Sequence, residues 1–316
     1  MKATQGTTYR SLQARIEQMS VRLQDLRNTA ASGKKLNRPS DDPSAIRPVL
    51  NARAQIRASE RYMSTTGSAL EKMQALDGHL DHAENILVRV KELTISGING
   101  AASDADRRTI ADQVEAMRTE LLDAANAQID GKYIFAGFAE TTRPFTDNPG
   151  YDPANPIPPN HQSAKYAGDG NATRLEISPG ETVQVSLTGN VLFLGDADND
   201  GITDPGGTDI FTALDRIESA LRINDTAALE SELTVVDRGA EQVRIQRSKM
   251  GNNAQRVESA MGHLEATRDD LKQILSHYED ADIIETITSL TQQETAFEAA
   301  LNVTAKVSRL SILNFL

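Results

Sequence analysis

Apolar residues fall in helical stripes over most of the chain. Leu12, Ile16, Met19, Leu23, Leu26 and Ala30 follow one another at steps of 4, 3, 4, 3 and 4. Such steps place every apolar side chain on one helix face and make a heptad seam. The seam stops at Ser32-Gly33, a helix-terminus signal, and residues 32–43, SGKKLNRPSDDP, are turn chemistry. A second helix is predicted from Asp42-Pro43, with Asp as N-cap and Pro at the first helical position. Pro48 lies in its second turn and predicts a kink or a later start. From Met63 the stripe runs through Thr66, Leu70, Met73, Leu76, Leu80, Ala83, Leu87 and Val90, then ends between Ser96-Gly97 and Gly100. A third helix carries Ile110, Val114, Met117, Leu121, Ala124 and Gln128.

The stripes return in the last third. Ile210, Leu214, Ile217 and Leu221 mark a short helix. From Leu229 to Tyr278 steps of 4 and 3 alternate over seven heptads, with Arg247 and Arg268 as the two charged exceptions. At 1.5 Å per residue that helix is roughly 70–75 Å long, which suits a bundle or a fibre. Ile283, Ile287, Leu290, Phe297, Leu301, Val307, Leu310 and Leu313 continue an apolar stripe to Phe315-Leu316.

The middle of the chain has a different grammar. Residues 131–210 hold 8 of the 11 prolines, 11 of the 20 glycines and 7 of the 13 aromatics. Tyr133 to Phe138 reads as a short aromatic strand. Thr173–Ile177 and Thr182–Leu187 alternate around a Pro179-Gly180 turn, and Val191–Leu194 reads as a third strand of a meander. Residues 147–160, DNPGYDPANPIPPN, read as a loop. The fold class expected is mainly α: a long antiparallel helical bundle or coiled-coil rod formed by both chain ends, with a small β-rich domain inserted in the middle. Its parts are residues 1–42 with 283–316 as a terminal coiled coil, 43–140 with 209–282 as a helical rod, and 141–208 as the β-rich insert.

Charge is segregated on this plan. The net charge of −12 combines a +7 stretch at 1–62, a −7 insert at 131–210, a −5 stretch at 265–316 and an acidic remainder. A basic N-terminal arm beside an acidic C-terminal arm reads as intrachain complementarity. Lysines and arginines interleaved with a heptad seam, without an aromatic stacking platform, do not read as a nucleic-acid or membrane binder. There is no cysteine, which excludes disulfides, cysteine-ligated metals and thiol nucleophiles. No run of 18 apolar residues predicts a membrane span, and the start lacks the apolar stretch of a signal peptide.

Candidate chemistry is sparse. His79 and His82 stand three apart, a spacing that can hold a metal, but no third ligand accompanies them and they read as solvated surface histidines. No nucleophile–base set, P-loop or GxGxxG is present, so no catalytic residue and no enzyme activity are expected. One segment has ion-binding form. In Asp196-Ala197-Asp198-Asn199-Asp200-Gly201, Asp196, Asp198 and Asp200 alternate before a glycine, as in the first half of a calcium loop. Position 12 is Gly207 instead of Glu, and Asp204 stands at position 9. The segment reads either as a calcium site or as an acidic solvated turn. No other cofactor is expected.

The segment from Leu12 through Ser32, Gly33, Asn37, Pro39, Ser40, Asp41, Asp42 and Pro43 resembles the N-terminal signature of bacterial flagellins, and the C-terminal helix resembles the same family. Gly131–Gly137 followed by Arg143-Pro144-Phe145, Tyr166–Gly170, and the ending Leu310–Leu316 resemble the hook-associated junction branch of that family. The resemblance implies a structural, self-assembling component of the bacterial flagellum, at the junction between hook and filament. It implies export through the flagellar type III apparatus without a cleaved signal, an extracellular location, an export chaperone, and contacts with an adjacent hook-associated protein and flagellin. It further implies arms disordered in the monomer that become a coiled coil on assembly. On that basis Leu12, Ile16, Met19, Leu23 and Leu26 are expected to pair with Ile287, Leu290, Phe297, Leu301, Leu310 and Leu313 only when subunits stack. The alternatives are a filament flagellin and, from another class, a secreted coiled-coil adhesin or tip protein.

Overall fold

The computed structural model describes the backbone of residues 2–152 and 161–313, and the side chains of Thr7 and of residues 10–306 within those ranges. The helices are α1 (Lys2–Ser32), α2 (Pro43–Ile98), α3 (Asp104–Ala125), α4 (Ile210–Ile223), α5 (Thr226–Glu279) and α6 (Ile283–Leu313). Among the described residues six short strands lie between α3 and α4: β1 (Gln128–Ile129), β2 (Lys132–Tyr133), β3 (Phe145–Asp147), β4 (Ala164–Tyr166), β5 (Arg174–Ser178) and β6 (Glu181–Gln184). They pair as three separate antiparallel hairpins, β1–β2, β3–β4 and β5–β6. The chain is thus mainly helical, with a small β-containing middle region.

The helix starts follow local chemistry. Asp42 Oδ1 accepts from the backbone N–H of Ser44 at 2.9 Å and of Ala45 at 3.3 Å, so α2 opens at Pro43. Pro48 neither delays nor interrupts it, and α2 is one helix as far as Ile98. A proline six residues into a capped helix removes a single backbone bond near the end where donors are already unpaired. Ser103 and Asp106 form a capping box on α3, and the helix closes at Ala125, so Gln128 falls in β1 instead.

Two compact units are found, Met1–Glu60 with Glu265–Leu316, and Arg61–Leu264. Their boundaries fall inside α2 and α5, whereas the three-part division expected from the sequence cut at helix ends. Both partitions keep the chain termini together.

The Arg61–Leu264 unit holds one continuous core. Met73, Leu80, Leu87 and Val90 of α2, Val114 and Leu121 of α3, Leu214 and Ile217 of α4, and Leu229, Val243 and Val257 of α5 are all buried in it. The hairpins join this core through aromatics. Phe193 packs edge-on to Phe135 at 5.4 Å and to Phe145 at 5.5 Å between ring centres. Phe211 at the start of α4 stands 5.3 Å from Phe145 and 5.6 Å from Phe193. Edge-to-face rings add about 0.5–1.5 kcal/mol per pair beyond burial, so this small cluster anchors the insert.

Serving that cluster reshapes two expected strands. Of the Tyr133–Phe138 segment only Tyr133 pairs, as the second residue of β2; residues 134–137 turn and deliver Phe135 to the core. Val191–Leu194 is not a strand but part of a π-helical turn, Asn190–Leu194, in which Leu192, Phe193 and Leu194 are all buried. A short apolar run does not reveal its own period, and Gly195, with φ +64°, closes this one as a left-handed cap.

Candidate assembly interface

The unit formed by both chain ends is built on a turn and a pair of helices. α1 ends because Gly33 takes φ +69° and donates to the carbonyl of Thr29 at 2.9 Å. Ser32 Oγ accepts from Lys34 N–H at 3.2 Å. The loop that follows holds itself with carboxylates. Asp41 Oδ2 accepts from the N–H groups of Asn37 at 2.9 Å and Arg38 at 2.6 Å, and Asn37 Nδ2 donates to the Lys34 carbonyl at 2.8 Å. Pro39 and Ser40 lie exposed in the turn, and hydrogen bonds from Ser44 hold the Asp42 carboxyl below its ordinary value.

This loop is clamped to the other end of the chain. Lys35 N–H donates to the Glu279 carbonyl at 2.7 Å and Ala281 N–H to the Gly33 carbonyl at 2.9 Å. Glu279 is buried, and its carboxylate lies 2.8 Å from Lys34 Nζ and 2.5 Å from the Arg53 guanidinium. Burial pushes the Glu279 carboxyl up, but the hydrogen bonds and charges of Arg53 and Lys34 outweigh it and hold it below the ordinary glutamate value. Sequence patterning does not single out Glu279, because Lys34 is 245 positions away.

From this clamp α1 and α6 lie antiparallel, and Arg27 reaches Glu294 at 2.8 Å. Both partners of that pair are well exposed, so it adds at most ~1 kcal/mol. Of the residues expected on the seam, Leu23 is buried, while Leu12, Ile16, Met19, Leu26, Leu290 and Phe297 are half-buried. Ile287 and Leu301 stay 52% and 45% exposed. Leu310 and Leu313 lie in α6 beyond the described side chains, and Phe315 and Leu316 lie outside the described residues. The two arms lie side by side within the one chain. Two helices alone shield only the stripes that face each other. The outer face keeps Val21, Ile284 and Val303 exposed at 61%, 77% and 50%.

Comparison with known proteins agrees with this layout. Residues 5–140 match the model of the bacterial flagellin N-terminal helical region, and residues 233–316 that of the C-terminal helical region. The chain belongs to the bacterial flagellin family. It is 26% identical over 300 residues to flagellar hook-associated protein 3 of Escherichia coli K12, covering 89% of each chain. It is 25% identical over 288 residues to flagellin of Bacillus subtilis, covering 88% of this chain and 87% of that one. The crystal structure of FlgL from Xanthomonas campestris matches the fold with a TM-score of 0.58 at 18% identity, over 71% of this chain and 99% of that chain.

In this flagellin-family chain the acidic loop lies within the Arg61–Leu264 unit. Asp196 is 1% exposed, and its carboxylate accepts from Gly201 N–H at 2.9 Å and Asp200 N–H at 3.3 Å. The carboxylates that converge are Asp196, Asp198 and Asp204, with oxygens within 4.8 Å of one another. Asp200 is not among them, because its Oδ1 turns back to accept from Ile202 N–H at 2.8 Å. His79 is half-buried and His82 exposed on α2. His82 Nε2 stands 3.2 Å from Glu120, and burial and the neighbouring His82 push His79 below its ordinary value. No described helix is long and apolar enough to cross a membrane.

Two further residues matter that patterning did not find. Arg118 of α3 is mostly buried and binds Asp147 at 2.8 Å and Asp215 at 2.7 Å, fixing a strand of the insert to α4. Arg107 is 7% exposed, and its guanidinium donates to the Gly97 carbonyl at 2.8 Å and the Asn99 carbonyl at 3.2 Å, satisfying acceptors around the end of α2.

Proposed function

We propose that this chain is a structural protein of the bacterial flagellum that forms the junction layer between hook and filament. The observation that carries the reading is the paired α1–α6 face. Ile284 and Ile287, one turn apart on α6, and Leu301 and Val303 further along it stay exposed although α6 already packs against α1. Apolar surface of this kind is covered by association, and among the described residues nothing reads as a catalytic constellation. Export without a cleaved signal, an extracellular position, a chaperone, and contacts with a neighbouring hook-associated protein and with flagellin follow from this reading. So does the arrangement of copies in a ring or helix.

The junction role, as opposed to that of a filament subunit, is supported by the match to hook-associated protein 3 over 89% of both chains. The near-equal identity to a flagellin keeps the filament as the second reading. Immunogold labelling of intact flagella separates them. Label confined to the hook–filament boundary is expected; label along the whole filament would give the second reading.

A further inference from the structure

A cavity of about 310 Å³ lies in the Arg61–Leu264 unit at the N-terminus of α4, lined among others by His161, Gln162, Thr208, Asp209, Arg216 and Arg238. Three buried polar atoms on its wall have no partner: His161 Nδ1, Gln162 Nε2 and Thr208 Oγ1. Gln162 is 8% exposed and Thr208 is 2% exposed, so bulk water does not reach them freely. Buried polar groups in folded proteins are almost always paired, and three orphans on one wall indicate that something else completes them.

The orphans differ in kind. His161 Nε2 lies 3.0 Å from the Gly201 carbonyl, which only accepts, so that nitrogen carries the proton and Nδ1 is left as an acceptor. Gln162 Nε2 is a donor, and the Thr208 hydroxyl is either. A group that both gives and takes hydrogen bonds fits all three, which is the property of a hydroxyl. Charge on the wall is balanced. Arg216, Arg238 and Asp209 line the cavity, and Glu232, behind it, stands 3.8 Å from Arg216 and attracts Arg238 as well, so two carboxylates offset the two arginines and neither a simple anion nor a cation is favoured. The volume is at the lower end for ligand pockets, whereas one water occupies about 30 Å³.

We propose that this cavity binds a neutral, hydroxyl-rich small molecule of monosaccharide size. The proposal is independent of the flagellar reading. Saturation-transfer NMR on the full chain tests it, with D-glucose, D-mannose, D-galactose, N-acetyl-D-glucosamine and myo-inositol as probes. Saturable binding of at least one is expected. Gln162→Leu and Thr208→Val should each weaken it about tenfold, the effect of one lost hydrogen bond. Thr208→Val deletes only a hydroxyl that has no partner, so its melting temperature should not fall, which separates lost binding from lost fold. Absence of saturable binding by all five probes, or unchanged binding in both variants, overturns the proposal.

Discussion

Arg53 and Glu279 meet at 2.5 Å although one lies in α2 and the other ends α5, and the glutamate is 2% exposed while the arginine is 44% exposed. The glutamate is thus the buried member of the pair and depends on its partners. Glu279→Gln keeps the shape and removes the charge. It is expected to destabilise the unit formed by the chain ends by about 1–3 kcal/mol, because Arg53 and Lys34 lose the shared charge and one of its two acceptor oxygens becomes a donor. The carboxyl sits below the ordinary glutamate value when folded. Its stabilisation is therefore fully present above the unfolded value and is lost as pH falls through the folded one. Melting curves of both proteins should differ at neutral pH and converge in acid; a gap that persists in acid contradicts the pairing.

Arg107→Ala should cost more than a surface change. Its guanidinium serves the carbonyls of Gly97 and Asn99 and the side chain of Asn224 together. Removal leaves buried acceptors unpaired, at about 2–4 kcal/mol. Arg107→Lys should recover little, since a single ammonium lacks the planar fork that reaches all three. Urea denaturation of both variants checks this, and a full rescue by lysine would show that charge alone matters.

Arg247 interrupts the heptad seam of α5 because it binds Asp77, Asp81 and Glu84 of α2 at 2.9, 2.6 and 3.3 Å. Those carboxylates stand on one face of α2 and repel one another without it. Arg247→Glu is expected to destabilise by about 2 kcal/mol at low ionic strength, and less at high salt because the cluster is partly exposed. Thermal melts across a salt series read both effects. Equal destabilisation at all salt concentrations would point to packing of the arginine stem instead.

How far the sequence reveals this molecule depends on the range of the signal. Leu12 to Ala30 and Leu229 to Tyr278 announce helices because a period repeats many times, and the helices are there. Val191–Leu194 carries no period, and the π-helical turn depends on Phe193 reaching Phe135 and Phe145, which no local rule contains. Glu279, Arg107, Arg118 and Arg247 look like ordinary charged positions until distant segments bring their partners. In the acidic loop, spacing identified Asp196 and Asp198, but the third converging carboxylate is Asp204, because Asp200 is spent on the turn.

That loop makes a separable prediction. Asp196→Ala removes the buried acceptor for Gly201 and Asp200 and should lower stability by about 1–3 kcal/mol with EDTA present. Isothermal titration with calcium tests the ion-site reading directly. Heat of binding that Asp198→Asn abolishes supports it, while no heat leaves the loop as an acidic turn held by its own backbone bonds.

The assembly reading separates folding from incorporation at single residues. Ile284 and Ile287 are exposed at 77% and 52%, so Ile284→Asp and Ile287→Asp should leave the melting temperature nearly unchanged, within about 0.5 kcal/mol. If their face is covered in the flagellum, each introduces an unpaired carboxylate into an apolar contact and should block incorporation. Leu23→Asp is the contrasting case, since Leu23 is 8% exposed and its loss should unfold the helix pair itself. Deleting residues 301–316 should likewise leave the Arg61–Leu264 unit folded, because they belong to the other compact unit. The measurement is incorporation of each purified-stable variant into flagella of cells lacking the native copy. Normal incorporation of both aspartate variants would show that the exposed stripe of α6 is not the contact surface.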